Sequence, residues 1–246
     1  MKIFFAMPTY DGKPDCRVQK CLLDEQYIAL KAGVEIQTRF LPGCSHPAMG
    51  RNQLAHEFLE TDYDKLFFLD SDVTFEPGSL VKLCLQPCNL VGGTYRLKLS
   101  EQPEQYPIGW LPDPDKKGLQ ANAIGLLEVA ALPGGFMAIS RKVFETMKEK
   151  NPERTFEHMG KKFHCFFEMK YEDGKLWGED TKFCEDWRAL GGKVFLDPEL
   201  TLTHWNYEPT PFTGRIGQWL KARPPEPLRI HEPVLECAPL EHGQGD

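Results

Sequence analysis

Residues 65–72 read Lys65-Leu66-Phe67-Phe68-Leu69-Asp70-Ser71-Asp72. Four consecutive apolar side chains halted by acids predict a strand covered on both faces, as a central parallel strand is. Outward from it, Lys2 to Met7 is a second short apolar run, stopped by the turn cluster Pro8-Thr9-Tyr10-Asp11-Gly12. Residues 16 to 32 set Val18, Leu22, Leu23, Ile28 and Leu30 among polar residues, which predicts a helix ended by Gly33. Val34 to Phe40 alternates and predicts a strand. Met49 to Leu59 predicts a second helix with Leu54, Ala55, Phe58 and Leu59 inward. Pro77 to Leu85 predicts a third, with Pro in its first turn, and Asn89 to Arg96 a further strand. The order β-α-β-α-β-α-β predicts a doubly wound sheet whose ligands sit at the carboxyl ends of the strands. Asp70, Asp72 and Pro8 to Asp11 fall at such ends.

The second half is less regular. Residues 101 to 118 hold Pro103, Pro107, Pro112 and Pro114 and read as a loop or lid. Leu126 to Ser140 carries Gly134-Gly135 between apolar stretches, Arg141 to Lys150 predicts a helix, and residues 151 to 176 are mixed and charged. Asp180 to Leu190 predicts a helix closed by Gly191-Gly192; Lys193 to Leu196 and Leu200 to His204 predict short strands. From Asn206 onward there are seven prolines in 41 residues. The expectation is one α/β domain over residues 1–206, a Rossmann-like, mostly parallel sheet with helices on both faces. A Pro-rich tail, 207–246, would wrap it or be partly disordered.

The chain has 246 residues, 41% of them hydrophobic and 26% charged, which excludes intrinsic disorder and collagen-like structure. No stretch approaches the ~20 apolar residues of a membrane span. The apolar N-terminus is too short for a secretory segment, so a cytoplasmic setting is expected. The eight cysteines are scattered, and free thiols are expected. A net charge of −7 argues against unaided binding to a polyanion, though not against a small anion held by a metal ion.

Several residues suit chemistry. Asp70-Ser71-Asp72 after a buried strand can converge on one hard cation, or can simply form a capping turn. Glu179-Asp180 opens a helix, where acids gain from the dipole and where a general base is also well placed. His204 ends an apolar strand and is a candidate third metal ligand beside Asp70 and Asp72. Gly134-Gly135 either makes a tight strand entry or lets backbone lie close to a ligand. Arg51-Asn52 on a helix offers a fixed guanidinium near an anion. Trp177 and Trp205 flank the acids and the histidine, as core residues or as faces for a sugar ring.

In that order, Pro8-Thr9-Tyr10, Arg51-Asn52, Asp70-Ser71-Asp72, Gly134-Gly135, Glu179-Asp180 and His204 together resemble the GT-A-fold glycosyltransferases, the family-2-like group above all, over residues 1 to 206. The resemblance implies a metal-dependent transferase that moves a sugar from a nucleoside-diphosphate sugar, a UDP-sugar first, to an acceptor hydroxyl with inversion. It places Pro8, Thr9, Tyr10 and Asp11 in the nucleoside pocket with Arg51 and Asn52 nearby. Asp70 and Ser71 would face the donor, and Asp70, Asp72 and His204 would hold Mn²⁺ or Mg²⁺. Gly134 and Gly135 would pass beside the donor sugar, Asp180 would be the base, and Glu179 would orient the acceptor. That acceptor could be a glycan, a small molecule or a hydroxylated DNA base. Seven basic against four acidic residues in 141–162, with Arg215, Lys221, Arg223 and Arg229 in the tail, either are solvated surface or guide an anionic acceptor.

Two other readings compete. Phe68-Leu69-Asp70-Ser71-Asp72-Val73-Thr74 also resembles the nucleophile loop of haloacid-dehalogenase-type phosphatases, with Asp70 as nucleophile. Against it, two βα units precede the strand, and residues 168–174, before the late acids, are polar. A non-catalytic nucleotide- or sugar-binding module would leave Asp180 idle.

Overall fold

All five residues of the strand Lys65–Leu69 are buried in a computed structural model that describes residues 1–99, 104–112, 118–206 and 211–222. The elements run β1 (Lys2–Pro8), α1 (Cys16–Lys31), β2 (Glu35–Leu41), α2 (Pro47–Leu59), β3 (Lys65–Leu69), β4 (Val73–Phe75), α3 (Ser79–Leu85), β5 (Leu90–Gly92), β6 (Leu127–Val129), β7 (Phe136–Ser140) and α4 (Arg141–Lys150). They continue β8 (Thr155–His158), β9 (Lys161–His164), β10 (Lys170–Glu172), β11 (Lys175–Trp177), α5 (Glu179–Ala189), β12 (Val194–Leu196), β13 (Leu202–Trp205), β14 (Pro211–Gly214) and α6 (Ile216–Ala222).

Seven strands form the central sheet in the order β2-β1-β3-β7-β5-β12-β6. β2, β1 and β3 are mutually parallel, and β12 is parallel to β5. β7 runs antiparallel to both of its neighbours, β3 and β5, and β6 antiparallel to β12. Five strands therefore share one direction and two oppose it, so the sheet is mainly parallel, as expected.

Because strand side chains alternate, the central strands feed two cores. Phe4, Ala6, Leu66 and Phe68 pack with Leu54 and Phe58 of α2, Phe144 of α4 and Phe183 of α5. Ile3, Phe5, Met7, Phe67 and Leu69 pack with Val18 and Leu22 of α1 and Leu80 of α3. Each fully buried Phe or Leu contributes roughly 1.5–3 kcal/mol. The charged start of β3 is also buried: Lys65 Nζ donates to the carbonyls of Gln86 (2.7 Å) and Cys88 (3.1 Å), and burial pulls its pKa down.

Some elements differ from the expectation. α3 begins at Ser79 rather than Pro77, because its cap Gly78 adopts φ +90° and its backbone N–H, with that of Val81, donates to the buried Glu25 carboxylate of α1. The strand expected to reach Arg96 ends at Gly92. Residues 151–176, given no element from sequence, form two antiparallel hairpins, β8-β9 and β10-β11.

The described part of the Pro-rich loop, 104–112, is anchored by buried Tyr106, Ile108 and Trp110. Residues 211–222 of the expected tail form β14, paired antiparallel to β13, and α6. Residues 207–210 and 223–246, including Cys237, Arg223 and Arg229, lie outside the described residues, as do 100–103 and 113–117 of the proline-rich loop. The seven cysteines that are described are free. No described helix is long and apolar enough to cross a membrane.

Candidate functional site

Three pairings bring distant sequence to the carboxyl end of β3. Leu69 pairs with Phe136, so the Asp70 N–H donates to the Gly135 carbonyl at 3.1 Å and the Gly134-Gly135 turn lies against Asp70. His204 on β13 pairs with Val73 on β4, which sets the imidazole beside Asp72. The first turns of α2 carry Arg51 under the same edge.

Arg51 is the hub. It is 4% exposed. Its Nη2 donates to Asp70 Oδ1 at 2.9 Å and its Nη1 to Glu179 Oε1 at the start of α5. Burial disfavours its charge, but Asp70, Glu179 and Asp180 outweigh burial and hold the pKa above the ordinary arginine value. Burial and the neighbouring Asp180 raise the Glu179 pKa, against the pull of Arg51. Asp180 faces the glycine turn: Gly134 N–H donates to its Oδ2 at 3.0 Å, while its Oδ1 accepts from Thr181 N–H at 2.7 Å.

The glycines are demanded by this packing. A Cβ on Gly134 would stand 2.6 Å from Arg51 Cζ. One on Gly135 would stand 2.5 Å from the Tyr95 hydroxyl and closer still to Asp70 Oδ2.

Asp70 and Asp72 serve different partners. Tyr95 Oη donates to Asp70 Oδ2 at 3.1 Å, so both Asp70 oxygens are engaged, and burial followed by the acids at 70 and 180 pushes the Tyr95 pKa far up. Asp72 Oδ2 accepts from Lys98 Nζ at 2.5 Å and lies 3.5 Å from His204 Nε2. Burial would raise the Asp72 pKa, but hydrogen bonds from His204 and Lys98 prevail and lower it. His204 Nδ1 is 3.2 Å from the Arg96 carbonyl, and its ring lies 4.7 Å from that of Tyr95.

The expected three-ligand set is thus brought together only as the pair Asp72–His204. Among the described residues no group of three or more His, Cys, Asp or Glu side chains is arranged to hold a metal ion. The pair itself has the right donor chemistry for Mn²⁺ or Mg²⁺, one carboxylate oxygen and one imidazole nitrogen converging, with phosphate and water left to fill the shell. In this structure the Lys98 ammonium compensates the charge of the same Asp72 oxygen.

The remaining expected residues are scaffold or rim. Asn52 is buried and its amide is spent: Oδ1 accepts from the N–H groups of Phe166 (2.8 Å) and Phe167 (2.9 Å), and Nδ2 donates to the Phe167 carbonyl at 2.7 Å. Thr9 is buried, with its backbone bonded to Leu41 and Cys44, beside Pro8 at the end of β1. Tyr10 is 76% exposed, and Asp11 accepts from Lys13 N–H in an exposed turn. The Ser71 carbonyl accepts from Asp15 N–H at 3.1 Å, tying the acid turn to the cap of α1. Trp205 donates to Thr74 Oγ1 at 2.8 Å under the Arg17 guanidinium, so its ring face is covered.

Tyr95 and Lys98 escaped the sequence reading. They follow β5, and their position past the carboxyl end of a sheet strand is the only signal they carry.

No family model matches the chain, and no curated protein matches it. Solved structures do. The chain is similar to GalNAc-T7 crystallised with UDP, GalNAc and Mn²⁺ (12% identity, TM-score 0.44), over 83% of this chain and 44% of that one. It is similar to the catalytic domain of Drosophila β1,4-galactosyltransferase 7 in complex with xylobiose (13%, TM-score 0.44; 92% and 75%). It is also similar to residues 1–349 of S. aureus TarS (11%, TM-score 0.42; 80% and 58%). The chain spans less than half the length of the first of these.

Proposed function

We propose that the chain transfers a sugar from a nucleoside-diphosphate sugar to an acceptor hydroxyl, with inversion. The observation that carries this reading is the Arg51 hub: one buried guanidinium joins the acid turn after β3, the glycine turn before β7 and the acids opening α5. In this reading those are the segments that the donor sugar, its diphosphate and the attacking hydroxyl share. The phosphatase reading makes Asp70 the nucleophile, whereas here its carboxylate serves the Arg51 guanidinium and the Tyr95 hydroxyl.

Each residue then has a task. The exposed Tyr10 ring and the turn at Pro8, Thr9 and Asp11 border the nucleoside. Asp70, fixed by Arg51 and Tyr95, presents a carboxylate edge to the ribose or to water, with Ser71 beside it. Asp72 and His204 would hold Mn²⁺ or Mg²⁺, which supplies charge stabilisation for the departing diphosphate. Lys98, bonded to Asp72, neutralises that carboxylate in place of the metal. Gly134 and Gly135, lacking side chains, let Arg51, Asp70 and Tyr95 close against the turn that passes beside the donor sugar. Asp180 accepts the proton of the attacking hydroxyl; the N–H groups of Gly134 and Thr181 fix its orientation and leave lone pairs for that proton. Glu179, held by Arg51, orients the acceptor.

The test is a thermal-shift screen of nucleotide sugars with and without Mn²⁺. Stabilisation by one donor, deepened by the metal, is expected. Stabilisation by no donor, with turnover of phosphate monoesters instead, would reverse the assignment.

A further inference from the structure

A cavity of about 500 Å³ opens beside Glu179 and is used by none of the donor-side residues. Its walls are Pro47, Ala48 and Met49 from the start of α2, Phe156 from β8, and Phe167 and Met169 from the stretch before β10. Volumes of this order suit a small molecule rather than a polymer segment. The walls are rigid where they are aromatic: Phe167 stacks on Phe183 with centroids 4.4 Å apart, and Phe156 stacks on Phe163 at 5.5 Å. They are adaptable at the mouth, where Met49 is 37% and Met169 56% exposed, because an unbranched thioether repacks around varied shapes.

Three polar side chains of the lining are already committed, and the lining also holds the exposed imidazole of His46. Asn52 serves the backbone at 166–167, Glu168 pairs with Arg154 at 2.6 Å, and Glu179 pairs with Arg51. The lining contains no lysine or arginine. A nucleic-acid acceptor would bring phosphates to a groove with two carboxylates and, apart from the His46 imidazole, no basic side chain to neutralise them. A glycan would bring a row of hydroxyls to walls with few free hydrogen-bonding groups, at a desolvation cost of about 1–3 kcal/mol for each one left unpaired.

We propose that this groove is the acceptor subsite and that it takes a small uncharged alcohol with an apolar body, best met by an aryl alcohol. This rests on the transferase reading. The hydroxyl oxygen forms a bond to the anomeric carbon, and its proton passes to Asp180, next to the Glu179 that borders the groove. The bond from that carbon to the phosphate oxygen breaks, its electron pair leaving on the diphosphate.

The probe is 2-naphthol, titrated against the full chain by fluorescence without donor, then offered as acceptor with the nucleotide sugar that stabilises the protein best. Saturable binding is expected, weakened about tenfold or more by Met169→Glu and by Met49→Glu. Leu23→Glu on α1, a side chain 67% exposed and remote from the groove, leaves it unchanged. Neither maltotriose nor a single-stranded oligodeoxynucleotide displaces the naphthol. Displacement by either one, or binding indifferent to both methionine variants, overturns the groove assignment. If a nucleotide sugar stabilises the protein and is slowly hydrolysed while naphthol neither binds nor accepts, the groove proposal fails and the transferase reading stands. If naphthol binds and responds to the variants while no nucleotide sugar stabilises the protein, the transferase reading fails and takes the acceptor role with it.

Discussion

Arg51 Nη2 lies 2.9 Å from Asp70 Oδ1, a contact made inside the protein by a guanidinium whose second arm holds Glu179. One charge thus compensates two carboxylates from opposite halves of the chain. Removing it with Arg51→Met leaves both uncompensated and is expected to cost about 3 kcal/mol, near the lower end for a broken buried pair because Asp70 keeps some solvent contact. Arg51→Lys keeps the charge but a single ammonium lacks the planar fork, so it recovers part of the stability and little of the turnover. Urea unfolding of both variants checks this; equal stability of Arg51→Met and wild type would refute it.

Gly135→Ala tests the same junction without touching a charge. Gly135 is not among the residues with positive φ, so the backbone tolerates alanine and the effect is steric alone. The new methyl would overlap Asp70 Oδ2 and the Tyr95 hydroxyl. Overpacking of this kind costs about 1–3 kcal/mol, and the forced separation of Tyr95 from Asp70 should also weaken donor binding. A crystal structure of the variant with the Tyr95–Asp70 hydrogen bond intact would count against the assignment.

Much of this junction was legible in sequence because burial leaves a one-dimensional trace. The run Leu66 to Leu69 announces a central strand, and acids directly after it announce a strand end. What pairs with what leaves no such trace. Phe136–Ser140 is a short apolar run whose pattern is the same whichever way it points, so its reversed insertion beside β3 was invisible. The hairpins between 155 and 177 were missed because their strands are three or four residues long and largely exposed, with no apolar periodicity to read. In the site, the acids, glycines and arginine stood out by residue type. Asn52 was read as a ligand neighbour because an amide suits either role, and only its three bonds to Phe166 and Phe167 reveal a scaffold.

Glu179 gives the site a pH dependence with a definite sign. Burial raises its pKa above the ordinary 4.5, so folding favours its protonated form. The stability it contributes is therefore complete below 4.5 and is lost as the pH rises through the higher folded value. Glu179→Gln, uncharged throughout, lacks that loss, so its stability relative to wild type should improve with pH across the window. Turnover should show the opposite trend in wild type, rising as Glu179 ionises, and that limb should vanish in the variant. A stability difference independent of pH over the acid range would contradict this.

Asp180→Asn separates binding from chemistry. The amide keeps an oxygen for the Gly134 N–H, so the glycine turn and the donor-induced thermal shift are expected to persist. The side chain can no longer accept a proton, and a lost general base costs about 10²–10⁴-fold in kcat with little change in donor affinity. Full turnover in this variant would move the base to Glu179.

Asp72 and Lys98 frame the last prediction. The Lys98 ammonium sits 2.5 Å from the same carboxylate oxygen that faces His204, which is where a divalent cation would be bound. Two cations competing for one oxygen have opposite consequences when each partner is altered. Asp72→Ala removes the oxygen and should abolish the Mn²⁺-dependent part of donor stabilisation. Lys98→Met removes the competitor and should tighten Mn²⁺ binding, because the carboxylate no longer exchanges one positive neighbour for another. Thermal-shift titrations of Mn²⁺ at fixed donor measure both. A Lys98→Met protein with weaker Mn²⁺ dependence would mean that lysine and metal act together on the diphosphate, the ammonium turning from Asp72 to phosphate when the donor arrives.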